Sequence, residues 1–208
     1  MGSVEIFTVG HSNTDFAGLA RLLHQHGITA VADVRSQPYS RFLPHFSQRA
    51  LRVSLREAGI RYVFLGHELG ARPDDPACYV DGKASYERIA ATPLFQEGLE
   101  RLRNGMRSAR IALLCAEKDP LVCHRTILVC RHLRQPGLTI QHILADGSLV
   151  TQQELERQLL VEHGLQQLDL LRPRSLDDLI EEAYDRQGAA IAYTATTQGD
   201  DDHAERAS

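Results

Sequence analysis

No apolar run in this chain approaches the roughly 18 residues that a bilayer-spanning helix requires. No membrane partner is therefore expected. The opening residues Met1-Gly2-Ser3-Val4-Glu5 lack a basic stretch followed by an apolar one, so no secretory signal is expected either. Cysteine is scarce, with four among 208 residues and two of those in one polar motif. That usage is not a disulfide framework, and a reducing cytoplasm is the expected setting, with thiols kept for chemistry or packing. Positive charge is not in excess: the net charge of −4 provides no global basic field to hold a long nucleic acid. Internal repeats are absent.

What remains is an ordinary globular composition, 43% hydrophobic and 24% charged. A chain of this length buries a real core and is read as one α/β domain over residues 1–164. A helical extension over 165–193 and a disordered acidic tail over 194–208 are expected to follow. The charge is uneven. Arg35, Arg41, Arg49, Arg52, Arg56, Arg61 and Arg72 face only Glu57 and Glu68 in their span, while Asp200-Asp201-Asp202 close the chain.

Apolar, β-branched runs at residues 4–9, 28–34, 60–65, 110–114 and 138–144 predict five strands. Helical spacing predicts helices between them: Phe16 to Leu23, Ser47 to Ala58, Ser85 to Arg107 with a restart at Pro93, 122–134, and 151–162. Residues 73–84 read as irregular, and Ser175 to Arg186 as a further amphipathic helix. This alternation predicts a Rossmann-like or flavodoxin-like three-layer sandwich around a mostly parallel five-stranded sheet. With the common order 3-2-1-4-5, strands one and four are neighbours. The crevice at their carboxyl ends is the switch point where ligands bind.

The fourth strand carries the chemistry. Ile111 to Leu114 end in Cys115, a polar loop with Glu117 and Pro120 follows, and Cys123-His124-Arg125 opens the next apolar run. A thiol near a helix N-terminus with imidazole and guanidinium beside it is the setting that activates cysteine. Cys115, Glu117, Cys123 and His124 are therefore the candidate catalytic groups, with His11 a second possible base. His11, Ser12, Asp33, Arg35, Arg41, Glu68 and Arg125 are candidates for binding an anionic small molecule, nucleotide or short nucleic acid. The glycine of Gly10-His11-Ser12 would let backbone amides face a ligand. Tyr39, Phe42 and Phe46, interleaved with Arg41 and His45, either cover a pocket or plug their loop onto the core. A zinc site from Cys115, Cys123, His124 and His11 is the weaker interpretation, because the Cys-x7-Cys-His spacing matches no usual short chelate loop and His11 is remote. No metal and no cofactor are expected. Cys78 and Cys130 read as packing residues.

The motifs Gly10-His11-Ser12, Asp33-Val34-Arg35, Pro38, Ser40-Arg41, Leu65-Gly66-His67-Glu68-Leu69-Gly70, Leu114-Cys115-Ala116-Glu117 and Cys123-His124-Arg125 occur in this order. On them, the chain resembles domain-of-unknown-function family 488 over roughly residues 5–145. Ala71 departs from the resemblance, standing where many relatives have a second glycine. The resemblance implies an α/β domain and no particular reaction. Rhodaneses and cysteine-dependent phosphatases are a poorer match, since nine residues including Pro120 separate Cys115 from Arg125 here. The expected function is a hydrolase or transferase acting through the Cys/His/Glu groups on a nucleotide-like or nucleic-acid substrate. The opposing expectation is a non-catalytic nucleotide or nucleic-acid binding module.

Overall fold

A computed structural model describes residues 4–166 and 174–195. β1 (Val4–Gly10) leads into α1 (Phe16–Gln25), whose first turn is capped by the Asp15 carboxylate accepting from the Gly18 amide at 2.7 Å. β2 (Ala30–Asp33), α2 (Gln48–Glu57), β3 (Arg61–Phe64) and the single turn α3 (Gly66–Leu69) follow. A hairpin of β4 (Tyr79–Val80) and β5 (Lys83–Ala84) occupies the segment expected to be irregular. α4 (Tyr86–Ala90) and α5 (Pro93–Gly105) are divided at Thr92-Pro93, where Thr92 caps the second helix and Pro93 takes its first position. Then come β6 (Ile111–Cys115), a 3-10 turn at Pro120–Val122, a π-helical turn at Arg125–Cys130 and α6 (Arg131–Leu133). β7 (Leu138–Ile143), β8 (Leu149–Thr151), α7 (Gln152–Glu162) and α8 (Leu176–Ile191) complete the described chain.

The main sheet has six strands in the order β3-β2-β6-β1-β7-β8. Its first five strands are parallel and β8 is antiparallel to β7. Helices cover both faces, so the Rossmann-like three-layer sandwich stands, with one more strand than expected. The order differs from 3-2-1-4-5: β6, the fourth long strand, lies between β2 and β1. Local hydrophobic patterns say which segments are strands and nothing about which pair. β1 and β6 are still neighbours, but the β1 connection crosses β6 to reach β2 and the β6 connection crosses β1 to reach β7, so no crevice opens between these two strands. The diverging neighbours are β2, which connects outward to β3, and β6, which connects the other way to β7, so the switch point lies between β2 and β6.

Side-chain alternation sorts residues onto the two faces. Phe7, Val9, Val31, Ala112 and Leu114 pack under α1 and α2 with Leu19, Leu23, Leu51 and Leu55. Ile6, Ala32, Leu113 and Ile140 pack on the other face with Leu99 of α5, Ile127 and Leu128 of the π turn, Leu159 of α7 and Tyr184 of α8. On β6, Cys115 follows Ile111 and Leu113 by steps of two and so belongs to the second face, where the π turn packs. Thr8 and His142, paired in register across β1 and β7, share that face with Ile6 and Ile140.

α8 runs five residues beyond its expected end and starts in a capping box at Ser175 and Asp178. Thr194 bridges to Lys83, and the Ala195 amide donates to the Gly82 carbonyl at 2.7 Å, so these first two residues of the expected disordered tail are paired. The rest of that tail, 196–208, and residues 167–173 of the extension lie outside the described residues.

Candidate functional site

The carboxyl end of β6 presents Cys115 toward the start of the π turn. The Cys115 Sγ donates to Glu117 Oε2 at 2.7 Å, and the Cys123 Sγ reaches the same oxygen at 3.1 Å. His124 Nδ1 lies 3.5 Å from the Cys115 sulfur, while its Nε2 donates to the Val34 carbonyl at 2.9 Å. The two sulfurs, one carboxylate oxygen and one ring nitrogen all lie within 4.8 Å of one another. Cys115, Cys123 and His124 are buried, whereas Glu117 stands exposed at the rim with its carboxylate turned inward. All four predicted catalytic groups thus meet at one point. Cys123 has an extended backbone, and its carbonyl accepts from the amides of Thr126 and Ile127 at 3.1 Å each, so it occupies the position just before the helical turn. π turns frequently mark functional sites.

Charge is tightly balanced there. Burial opposes ionisation of Glu117, but His124 and the two thiols outweigh it and hold the carboxylate down at about 2. Burial and the neighbouring Cys123 push the Cys115 thiol well up. Burial would also raise Cys123, yet the Cys115 hydrogen bond and Arg125 bring it below the ordinary thiol value. Within the pair, Cys115 is the harder thiol to ionise and Cys123 the easier.

Arg125 is wholly buried and holds the loop in place. Its guanidinium donates to the Glu117 carbonyl at 2.6 Å, the Lys118 carbonyl at 3.2 Å and the Thr8 hydroxyl at 3.3 Å. The loop also lies on Gly10, where an added Cβ would stand 1.8 Å from the Glu117 carbonyl oxygen. Only glycine permits that approach.

Asp33, Arg35 and His11 form a second cluster under α2. Arg35 grips the Asp33 carboxylate at 2.9 and 2.7 Å and donates to the Phe46 carbonyl at 2.9 Å. Tyr62 donates to the same carboxylate at 2.8 Å. His11 Nδ1 donates to the Ser12 carbonyl at 2.9 Å, Nε2 accepts from Arg35 at 3.2 Å, and the ring stacks on Phe46. Burial and Arg35 push His11 down to about 4, so it is neutral. Its side chain is fully engaged and does not join the thiols; the fourth member of that group is Glu117. The amides of His11 and Ser12 donate to the carbonyls of Cys115 and Ala116 at 3.0 and 2.8 Å, so they join β1 to the loop rather than face a ligand. Ser12 does this with φ of 44°, a left-handed backbone unusual for a non-glycine residue.

Arg41 and Glu68 are not drawn into either cluster. Arg41 lies over the Phe42 ring at 5.7 Å, and Glu68 pairs with Arg101. Of the three loop aromatics only Phe46 is buried; Tyr39 is 76% and Phe42 62% exposed.

Sequence reasoning missed a buried polar chain. Thr8 donates to His142 Nδ1 at 2.9 Å, His142 Nε2 donates to Gln152 at 2.8 Å, Gln152 donates to the Tyr184 hydroxyl, and Tyr184 donates to Glu156 at 2.9 Å. Arg134 closes it on Glu156 at 2.8 Å. The available signal was polar residues at inward positions of apolar strands, which need partners when buried.

The family model for Domain of unknown function DUF488 matches residues 16–131, more than half of the chain. The chain belongs to the DUF488 family. The match spans β2, the Asp33–Arg35 cluster and the whole Cys115–Arg125 loop, whereas Gly10, His11 and Ser12 precede it. No curated protein and no solved structure matches this DUF488 chain.

Proposed function

We propose that this protein is a hydrolase or transferase whose reaction centre is the Cys115–Glu117–Cys123–His124 cluster at the β2/β6 switch point. The observation carrying this is the convergence of four chemically active groups within 4.8 Å at the open end of a parallel sheet. Packing alone rarely places two thiols on one carboxylate oxygen at the rim of a fold. Asp33, Arg35, His11 and Arg125 act as positioning residues, since their hydrogen bonds fix β1, β2 and the loop around the centre.

A nucleotide-like substrate is supported by the loop after β2. Tyr39 and Phe42 offer exposed rings, with Arg41 beside them to meet a phosphate, and stacking of this kind suits bases. The same feature favours a second reading, a non-catalytic module for nucleotides or short single strands.

Incubating the protein with a nucleotide-rich metabolite extract and following every compound by mass spectrometry separates the two. The enzyme reading expects a compound consumed by the wild type and spared by Cys123→Ser and Glu117→Gln. Binding that is lost in Tyr39→Ala/Phe42→Ala, with no compound consumed, would replace it by the binding module. These two rings are exposed, so the double variant is expected to stay within about 0.5 kcal/mol of wild-type stability.

A further inference from the structure

We propose that Cys115, Glu117, Cys123 and His124 bind one divalent transition-metal ion of the zinc class. This deepens the reading of the cluster as a reaction centre, and rests on that reading for the role of the ion though not for its binding. The donors are two sulfurs, an imidazole nitrogen and a carboxylate oxygen, the ligand types zinc takes in tetrahedral sites. Thiolates exclude the hard cations magnesium and calcium. Mutual separations within 4.8 Å fit four ligands around one small ion.

The orientation of His124 is a separate observation. A metal-bound imidazole ordinarily donates its other N–H to a carboxylate or backbone carbonyl, which fixes the ring and aims its lone pair. His124 does this to Val34 at 2.9 Å and turns Nδ1 to the sulfurs. The long spacing between the cysteines is no obstacle, because the sheet and Arg125 perform the closure that a short chelate loop performs elsewhere. Arg125 binds the carbonyls of Glu117 and Lys118 and leaves the Glu117 carboxylate free to face inward.

Three of the ligands are buried and Glu117 is at the rim. A site with three fixed ligands and one that water or substrate can displace is of the catalytic kind. An ion held there would supply Lewis acidity or lower the pKa of a bound water.

The test uses the full-length protein purified without chelator, then stripped and titrated with cobalt(II) alone as an optical probe. We expect about one equivalent of metal by plasma mass spectrometry. Cobalt should give thiolate-to-metal absorption in the near ultraviolet together with tetrahedral bands in the visible. Cys115→Ser, Cys123→Ser and His124→Gln should each weaken cobalt binding by at least about tenfold, and Cys78→Ser and Cys130→Ser should leave it unchanged. Should a cysteine variant fail to fold, the wild type still decides: cobalt must protect Cys115 and Cys123 from iodoacetamide, and a chelator must restore their alkylation. Absence of the thiolate band, or cobalt binding undiminished in the Cys115→Ser/Cys123→Ser double variant, overturns the site. Stoichiometric metal in a protein that turns over no substrate would instead overturn the reaction-centre reading and leave the metal site standing.

Discussion

His124 and Val34 are 90 residues apart, and the imidazole Nε2 of the one donates to the carbonyl of the other at 2.9 Å. That bond ties the start of the π turn to the end of β2 and dictates where the second ring nitrogen points. Because Val34 also donates its amide to the Leu114 carbonyl at 3.1 Å, one residue fixes both the strand that carries Cys115 and the ring that faces it. The cluster is therefore built by the sheet.

Gly10 makes the tightest backbone approach in this region, and Gly10→Ala should expose it. The new methyl group must displace the Glu117 carbonyl, breaking its bond to Arg125 and moving the carboxylate off the thiols. Urea unfolding should show a loss of about 1–3 kcal/mol, the usual range for overpacking a well-filled site.

Arg125→Lys keeps the charge and loses the fork. A single ammonium cannot reach Thr8 and both loop carbonyls, so at least one buried acceptor is left unpaired. Stability should fall by about 3 kcal/mol, judged from the cost of unpaired buried groups, and circular dichroism with denaturant measures it.

His142 makes stability depend on pH. It is enclosed by Thr8 from β1, Gln152 from α7 and Arg125 from the π turn, and burial with Arg125 pushes its pKa down from 6.5 to about 3. The unfolded chain therefore takes up a proton near pH 6.5 that the folded chain refuses. Stability from this residue is complete above that pH and is lost as pH falls toward 3. The slope is about 1.4 kcal/mol per pH unit. Between pH 6.5 and 5 the wild type should lose about 2 kcal/mol more than His142→Asn; parallel curves for the two proteins would contradict the assignment.

The fold was readable wherever local pattern decides it. Four reactive side-chain types within the eleven residues from Cys115 to Arg125 marked the centre, and strand–helix alternation marked the layers. Strand order was not readable, because moving β6 between β2 and β1 changes no local periodicity. β8 was missed for a related reason: three residues on a sheet edge carry no pattern. Arg35 read as an anion binder, yet in an extended segment residues i and i+2 share a face, which sets its guanidinium on Asp33. The sequence marks Glu117 as a catalytic candidate, whereas the zinc interpretation puts the remote His11 beside the thiols in its place. Glu117 sits only two residues from Cys115, but the loop reverses after the strand and returns its carboxylate to both sulfurs.

The central claim is that Cys115, Cys123 and Glu117 form one unit, and cysteine-resolved alkylation of the chelator-treated protein, wild type against Glu117→Gln, tests it most directly. Removing the shared negative charge favours both thiolates and leaves the two thiols only a neutral, weaker amide acceptor. The account predicts that Cys115 and Cys123 accelerate together while Cys78 and Cys130 keep their wild-type rates. Unchanged rates at Cys115 and Cys123, or a response at only one of them, would contradict it.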